Sequence, residues 1–297
     1  MKRNSTFHFL FLLTNPYKIY KTTKVKEKLI DMELLQSISP VFKKWYGPLL
    51  AKCAMKIGGF DKVNRVYDSA KFKTGTDIED AMIDGLGITR KVHNIEVLEQ
   101  FAGKPFITVS NHPYGHIDGI MLIGEVAKIR PDFKVMVNWM LGLIDIMGDH
   151  FIGVNPYSSD AVKKSSLSGV KECLDHLKEN HPLGFFPAGA VSKNIGGNKV
   201  KDRDWQEGVL KLIKKAKVHV VPVYISGQNS WFFNFLDKID WRIRTVRLCH
   251  ELDTKKGKTI HMVFGNPISP EEQSQFDDVK LFGEFLKEKT YSLASTL

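Results

Sequence analysis

The sequence predicts an α/β protein in which a central mixed sheet carries helices on both faces, with an N-terminal helical extension. Three observations lead there. Short apolar runs at residues 105–109, 133–137, 151–154 and 219–226 alternate with longer segments of helical period, the pattern of strands joined by helices. The chain has 297 residues, 43% of them hydrophobic and 26% charged, enough for a sizeable core in an ordinary folded protein. No run of 18 or more apolar residues occurs, so no spanning helix is expected.

Taken in order, the chain opens with Lys2 and Arg3 and a short apolar patch at residues 7–13. That patch is shorter than a signal-peptide core and residues 14–17 offer no small-residue cleavage site, so secretion is not expected, and Met32 is an alternative start. Residues 18–28 are strongly basic. Between residues 34 and 60, apolar positions recur with aromatics and lysines among them: Val41, Phe42, Trp45, Tyr46, Leu49, Leu50, Met55 and Ile57. The spacing predicts a helical hairpin packed on the domain. A second face of it suits a membrane interface, with Trp and Tyr at headgroup level and lysines on anionic lipid. Residues 1–80 are accordingly set apart as a basic amphipathic extension, and residues 81–297 form the main domain.

Residues 70–90 have a helical period, 86–88 turn into a short extended piece, and 93–98 lead into the strand at 105–109. A helix is expected over 120–129, a strand over 133–137, a helix over 139–147, a strand over 151–154 and a helix with a lysine-rich outer face over 159–178. Residues 184–192 run from strand into a glycine turn, and 193–201, glycine-rich and basic, read as a mobile surface loop. A basic amphipathic helix follows over 205–217. Residues 219–226 form the most convincing buried strand, with Val220, Val221, Val223 and Ile225 around Pro222. After a polar turn at 228–230 and an aromatic segment at 231–236, the last strand spans 259–264 and a final helix 279–293.

The chemistry concentrates where the strand at 105–109 hands over to a helix, in Asn111-His112-Pro113-Tyr114-Gly115-His116-Ile117-Asp118. Strand-to-helix junctions are where α/β proteins keep their sites. An imidazole held by a nearby carboxylate is equipped to act as a general base. The same residues also suit a well-formed loop in which Asp118 caps the helix. His112, His116 and Asp118 are three possible metal ligands within seven residues, yet no distant His pairing supports them, so no metal is expected. Cys53, Cys173 and Cys249 stand far apart, which indicates neither a disulfide framework nor a thiolate metal site and fits a reducing compartment. The 43 Lys and Arg against 33 Asp and Glu give a net charge of +10, favouring a polyanion, an anionic membrane face or an acidic carrier protein. The excess is spread along the chain without a recognised module, so nucleic acid is not an expected partner.

Four motifs in order, Asn-His…Asp-Gly (111–119), Phe-Ile-x-Val (151–154), Phe-Pro-x-Gly (186–189) and Val-Pro-Val (221–223), resemble the glycerol-phosphate and lysophospholipid acyltransferase family. The likeness is strongest to its bacterial branch labelled putative hemolysin or ornithine/glycine-lipid acyltransferase, and it covers roughly residues 88–270. The resemblance implies an O-acyltransferase of membrane lipid synthesis. In it His112 is the general base and Asp118 its orienter, and the hydroxyl of a lyso-lipid attacks the thioester of acyl-CoA or acyl-carrier protein. No cofactor is implied, since the acyl donor is a co-substrate. Asn111, Gly115, His116, Phe186, Pro187, Gly189, Ser192 and Lys193 are implied as substrate-binding, and Asn229 as a turn residue or part of the acceptor floor. Backbone N–H groups near the glycine turns at Gly115 or Gly189 are candidates to meet the developing oxyanion. Asp202 and Trp205 are expected to be a helix N-cap and a core anchor. The implied location is peripheral, on the cytoplasmic face of the inner membrane.

Departures from the family pattern matter as well. Five residues rather than four separate His112 from Asp118. Ala188, Ala190 and Val191 stand where the family has Glu, Thr and Arg, and the second motif ends Val154-Asn155 in place of an Arg. Without those guanidiniums to grip a phosphate, the expectation shifts from lysophosphatidic acid towards a lyso-aminolipid, although Lys193, Lys199 and Lys201 offer charge. The rival readings are a lysophosphatidic acid acyltransferase proper, a non-catalytic lipid-binding module and a metal-dependent hydrolase.

Overall fold

A computed structural model of the chain describes residues 25–138, 141–142, 144–154, 160–196 and 199–297. The basic start with its apolar patch, the choice between Met1 and Met32, and Asn155 of the second motif involve residues outside these. Among the described residues three α-helices come first: α1 (Met32–Ile38), whose N-cap Asp31 accepts the Leu34 amide, α2 (Gly47–Gly58) and α3 (Phe60–Ala70). The span of the expected hairpin, residues 34–60, holds α1 and α2, and α3 continues beyond it. Leu35, Phe42 and Ala51 form a small cluster of their own, whereas Val66 and Ala70 of α3 already belong to the main core.

There follow α4 (Asp77–Gly85), β1 (Thr89–His93), β2 (Phe106–Ser110), α5 (Ile117–Ala127), β3 (Lys134–Asn138), β4 (Phe151–Val154), α6 (Asp160–Lys178) and β5 (Leu183–Phe185). The second half contains β6 (Lys193–Gly196), β7 (Lys199–Lys201), α7 (Glu207–Ala216), β8 (His219–Ile225), α8 (Trp231–Leu236), α9 (Trp241–Arg247), β9 (Thr259–Phe264), α10 (Pro270–Ser274) and α11 (Val279–Ser292). Among the described residues, seven strands make one mixed sheet in the order β1-β9-β8-β2-β5-β3-β4. The five from β8 to β4 are mutually parallel, while β9 pairs antiparallel with β8 and parallel with β1.

The sheet alternates its side chains between two cores, as period-2 geometry requires. Phe106 of β2 and Val221, Val223 and Ile225 of β8 face α4 and α5, meeting Ile83, Met121 and Leu122. Ile107 and Val109 face the other way, with Cys173 and Leu177 of α6, Leu210 and Ile213 of α7, and Phe282 and Leu286 of α11. In α7, Val209, Leu210, Leu212 and Ile213 are buried while Lys211 and Lys215 point outward. Each such aliphatic side chain contributes roughly 1.5–3 kcal/mol on burial, so the helix is held by one face.

Two expected elements differ. Residues 193–201, expected as a mobile loop, contain the antiparallel strands β6 and β7, paired through Lys193–Lys201 and Asn194–Val200. The alternating lysines conceal a strand period because neither side of the pair is deeply buried. The helix expected over 139–147 is, in its described part, a 3-10 turn at Asp145–His150 leading directly into β4. Another 3-10 segment, Leu248–Lys255, follows α9 and was not expected at all.

Strand order places the functional loops. The chain passes from β2 through α5 to β3, leaving a gap that β5 later fills, so the C-terminal ends of β8, β2 and β5 lie side by side. That edge, where connections leave in opposite directions, is where an open parallel sheet forms its crevice.

Candidate active site

Asn111 leaves β2 by clamping the end of β8: its Nδ2 donates to the Ile225 carbonyl at 2.9 Å and its Oδ1 accepts the Ile225 amide at 2.7 Å. Both ends of the amide are engaged and the residue is buried, so Asn111 fixes the loop. Beyond it the chain turns back on Asp118. The fully buried carboxylate accepts the amides of Tyr114 and Gly115 through Oδ2, at 2.9 and 2.8 Å, and the same oxygen lies 2.9 Å from His112 Nδ1. The His112 contact is close in distance but off the line of a well-directed N–H···O bond. Asp118 is also in the first turn of α5, where the helix dipole favours a negative charge.

The His112 ring keeps 16% of its surface exposed and tilts against Phe186 with centroids 4.4 Å apart. Phe186 belongs to the loop after β5, and that loop is tied to the first by backbone and side chain. Ser192 N–H donates to the His112 carbonyl at 2.8 Å, and Ser192 Oγ donates to Asp202 Oδ1 at 2.5 Å. Asp202 Oδ1 also accepts the His112 amide at 3.1 Å, and its Oδ2 accepts Trp205 Nε1 at 3.1 Å. Asp202 is therefore not the expected N-cap, since α7 begins at Glu207 with Gln206 before it. It is a hub that joins the two loops, with Tyr291 and Lys287 of α11 bonded to its backbone. Trp205 is buried as a core anchor.

Both glycine turns have left-handed backbone, with φ of 90° at Gly115 and 61° at Gly189. A Cβ on Gly115 would come within 2.5 Å of Val191 Cγ2, so the two loops touch there. The Gly115 amide donates to Asp118 and the Gly189 amide to the Phe186 carbonyl at 2.9 Å. Of the backbone N–H groups near these turns, the two glycine amides themselves each close their own turn. Pro187 accepts the Gln206 amide through its carbonyl, and Lys193 starts β6 at the rim.

His116 is the N-cap of α5. Its Nδ1 accepts the Ile117 amide at 2.9 Å and its Nε2 donates to the Leu248 carbonyl at 3.2 Å. Burial pushes its pKa down to about 4, the Leu248 carbonyl opposing. With both nitrogens engaged and the ring neutral, His116 braces the loop instead of facing it outward, and it does not join His112 and Asp118 as a third ligand. Asn229, in the turn after β8, donates its Nδ2 to the Tyr114 carbonyl at 3.2 Å, supporting the loop from the other side.

Beneath the loop lies an ion pair that sequence reasoning missed. Lys255 Nζ is 3.0 Å from Glu251 Oε2, both side chains fully buried, and the ammonium sits 5.3 Å from the centre of the Tyr114 ring. Burial pushes the Glu251 carboxyl up, but the Ser230 amide, the Lys255 charge and the Ser230 hydroxyl outweigh it and hold it below the ordinary range. Burial lowers the Lys255 pKa against the pull of Glu251. Arg244 of α9 was missed too. It pairs with Asp237 at 3.0 Å, donates to the Ser192 carbonyl and lies over the Phe233 ring. The four-residue spacing of Glu251 and Lys255 suggests a surface pair, and nothing local announces their burial.

Residues 63–297 match the family model described as acyltransferase. The chain is similar to a lyso-glycine lipid O-acyltransferase of Bacteroides thetaiotaomicron, 27% identical over 274 residues that cover 89% of this chain and 97% of that one. A lyso-glycine lipid O-acyltransferase of Phocaeicola vulgatus is 26% identical over 273 residues, covering 89% and 95%. Among solved structures, the 1-acyl-sn-glycerophosphate acyltransferase of Thermotoga maritima aligns with a TM-score of 0.49 at 16% identity, over 89% of this chain and 94% of that one.

Proposed function

The chain belongs to the acyltransferase family and is an acyltransferase, and from that premise we propose that it moves a fatty acyl chain from a phosphopantetheine thioester to the hydroxyl of a lyso-lipid. The observation that carries the reading is the contact of His112 Nδ1 with Asp118 Oδ2 at 2.9 Å, the carboxylate itself held by two loop amides. A hydroxyl is a weak nucleophile at neutral pH. With Nδ1 facing Asp118, Nε2 of His112 takes the hydroxyl proton while the oxygen bonds to the thioester carbonyl carbon. The tetrahedral adduct then expels the thiolate, which takes up that proton from the imidazolium and leaves as the free thiol. General-base help of this kind is worth roughly 10²–10⁴ in rate. Asp118 orients the ring and stabilises its charged form.

Two features favour a lyso-aminolipid as the acceptor. The similar proteins of B. thetaiotaomicron and P. vulgatus carry the name lyso-glycine lipid O-acyltransferase. The loop after β5 presents Val191 against Gly115, an aliphatic side chain where a guanidinium would be needed to hold a phosphate in two-point contact. The donor is either acyl-CoA or acyl-carrier protein, both anionic and both suited to the lysines at residues 193, 199 and 201.

The test is acyl transfer by the wild type and His112→Ala, from each donor, to lysophosphatidic acid and to mono-acylated amino-acid lipids. Transfer to the aminolipid that disappears in the variant is the expected result. Preference for lysophosphatidic acid would overturn the acceptor assignment, and undiminished transfer by His112→Ala would overturn the role of the histidine.

A further inference from the structure

A stripe of exposed apolar side chains runs along α8, the turn after it and α9. Trp231 is 66% exposed and Ile239 58%, and Phe232, Phe235 and Ile243 are exposed beside them. Within α8, Trp231 and Phe235 are four residues apart and share a face with Phe232 beside them, while Ile239 lies in the following turn and Ile243 on α9. Phe233 and Leu236, on the opposite face, are buried. Single exposed apolar residues are normal on a protein surface, whereas a contiguous aromatic and aliphatic stripe marks a surface that meets something.

The stripe is edged with positive charge. The Arg247 guanidinium lies 5.5 Å over the Phe232 ring, Lys238 is exposed between the two helices, and Trp231 stacks on Phe235 at 5.3 Å. Rings with cations at their edge are the arrangement that suits an interface between headgroups and acyl chains. The chain carries a net charge of +10, and α9 packs on α2, whose Lys52 and Lys56 are exposed. A second copy docking through the same face would set these cations against each other. An anionic bilayer satisfies them.

The elements that bear the stripe also hold the catalytic loops. Ser230, the N-cap of α8, donates twice to Glu251, Asn229 just before it supports Tyr114, and Arg244 of α9 donates to the Ser192 carbonyl. We propose that α8 and α9 seat the enzyme on an anionic lipid bilayer and deliver the acceptor from that surface to the His112 loop. This partner rests on the reading of the acceptor as a lipid.

Flotation of the purified full chain with phosphatidylcholine vesicles, with and without phosphatidylglycerol, reads the docking without reference to activity. The wild type floats with the anionic vesicles. In the triple variant Phe232→Ser, Phe235→Ser, Ile239→Ser, with thermal unfolding unchanged, the bound fraction falls at least about tenfold. Transfer to a vesicle-embedded acceptor falls in parallel, and transfer to the same acceptor in detergent micelles stays within about twofold of wild type. A wild type that ignores anionic vesicles, a variant that floats as well as wild type, or a dimer in sedimentation that the triple variant dissolves would each overturn the proposal. So would release by Trp45→Ser with Leu49→Ser alone, which would move the docking face to α2. Flotation that behaves as expected while no lyso-lipid is acylated would leave the docking surface standing and remove the acceptor reading instead.

Discussion

Asp202 and His112 meet across a sequence separation of 90 residues, the carboxylate Oδ1 accepting the His112 backbone amide at 3.1 Å and the Ser192 hydroxyl at 2.5 Å. One oxygen thus fixes the backbone under the histidine and the loop that carries Phe186. Asp202→Asn keeps an acceptor for the His112 amide and the Ser192 hydroxyl but sets an NH2 group against Trp205 Nε1–H, so the bond to Trp205 is lost along with the charge. Loss of a hydrogen bond to a charged group costs about 1.5–3 kcal/mol. Denaturant titration is expected to show a loss of that size, together with a fall in kcat larger than the change in KM, because the loop rather than the substrate is displaced.

Asp118→Asn tests the other carboxylate. The carboxamide oxygen can still accept the Tyr114 and Gly115 amides, so circular dichroism is expected to match wild type. The imidazolium loses its counter-charge, and acyl transfer is expected to drop by roughly 10²–10⁴. A variant with near-normal turnover would mean that the 2.9 Å contact with His112 is only a loop fastening.

His116 makes stability depend on pH. Its folded-state pKa lies at about 4 against 6.5 for the ordinary group, because burial disfavours the charged ring. Between those values the unfolded chain takes up a proton that the folded protein does not, so stability falls as pH drops from about 6.5 towards about 4. At one kcal-scale step per pH unit the loss is on the order of 3 kcal/mol. Urea titrations at pH 7 and pH 5 should show the decline in wild type and a shallower one in His116→Asn.

The Glu251–Lys255 pair is fully buried, so breaking it on one side leaves an unpaired charge. Lys255→Met is expected to destabilise by about 3–5 kcal/mol. Glu251→Gln combined with Lys255→Met should cost less than Lys255→Met alone, since the remaining charge is gone. Equal losses in the single and double variants, measured by denaturant unfolding, would show that the packing on Tyr114 matters and the charges do not.

What could be read from the chain and what could not divide along physical lines. Strand β8 was legible because Val220, Val221, Val223 and Ile225 leave no solvent face to consider. The His112 loop was legible because a polar cluster interrupts two apolar runs. The hairpin of β6 and β7 was not, since on this solvated ribbon no residue is deeply buried and the lysines mark no core face. Asp202 was read as a cap from its neighbours alone, while its partners His112 and Ser192 come from other strands' loops. Lys255 reads as surface in any window of sequence, and only the fold brings it fully buried against the Tyr114 ring.

The clamp of Asn111 on Ile225 joins residues 114 positions apart. Until the ribosome has released β8, the segment after β2 has no partner for either end of that amide, and β2 has no neighbour on that side. Central strands that must wait for distant partners fold late. Nascent chains shorter than this clamp therefore carry His112 and Asp118 on an unanchored segment, and catalytic competence arrives together with closure of the sheet rather than ahead of it.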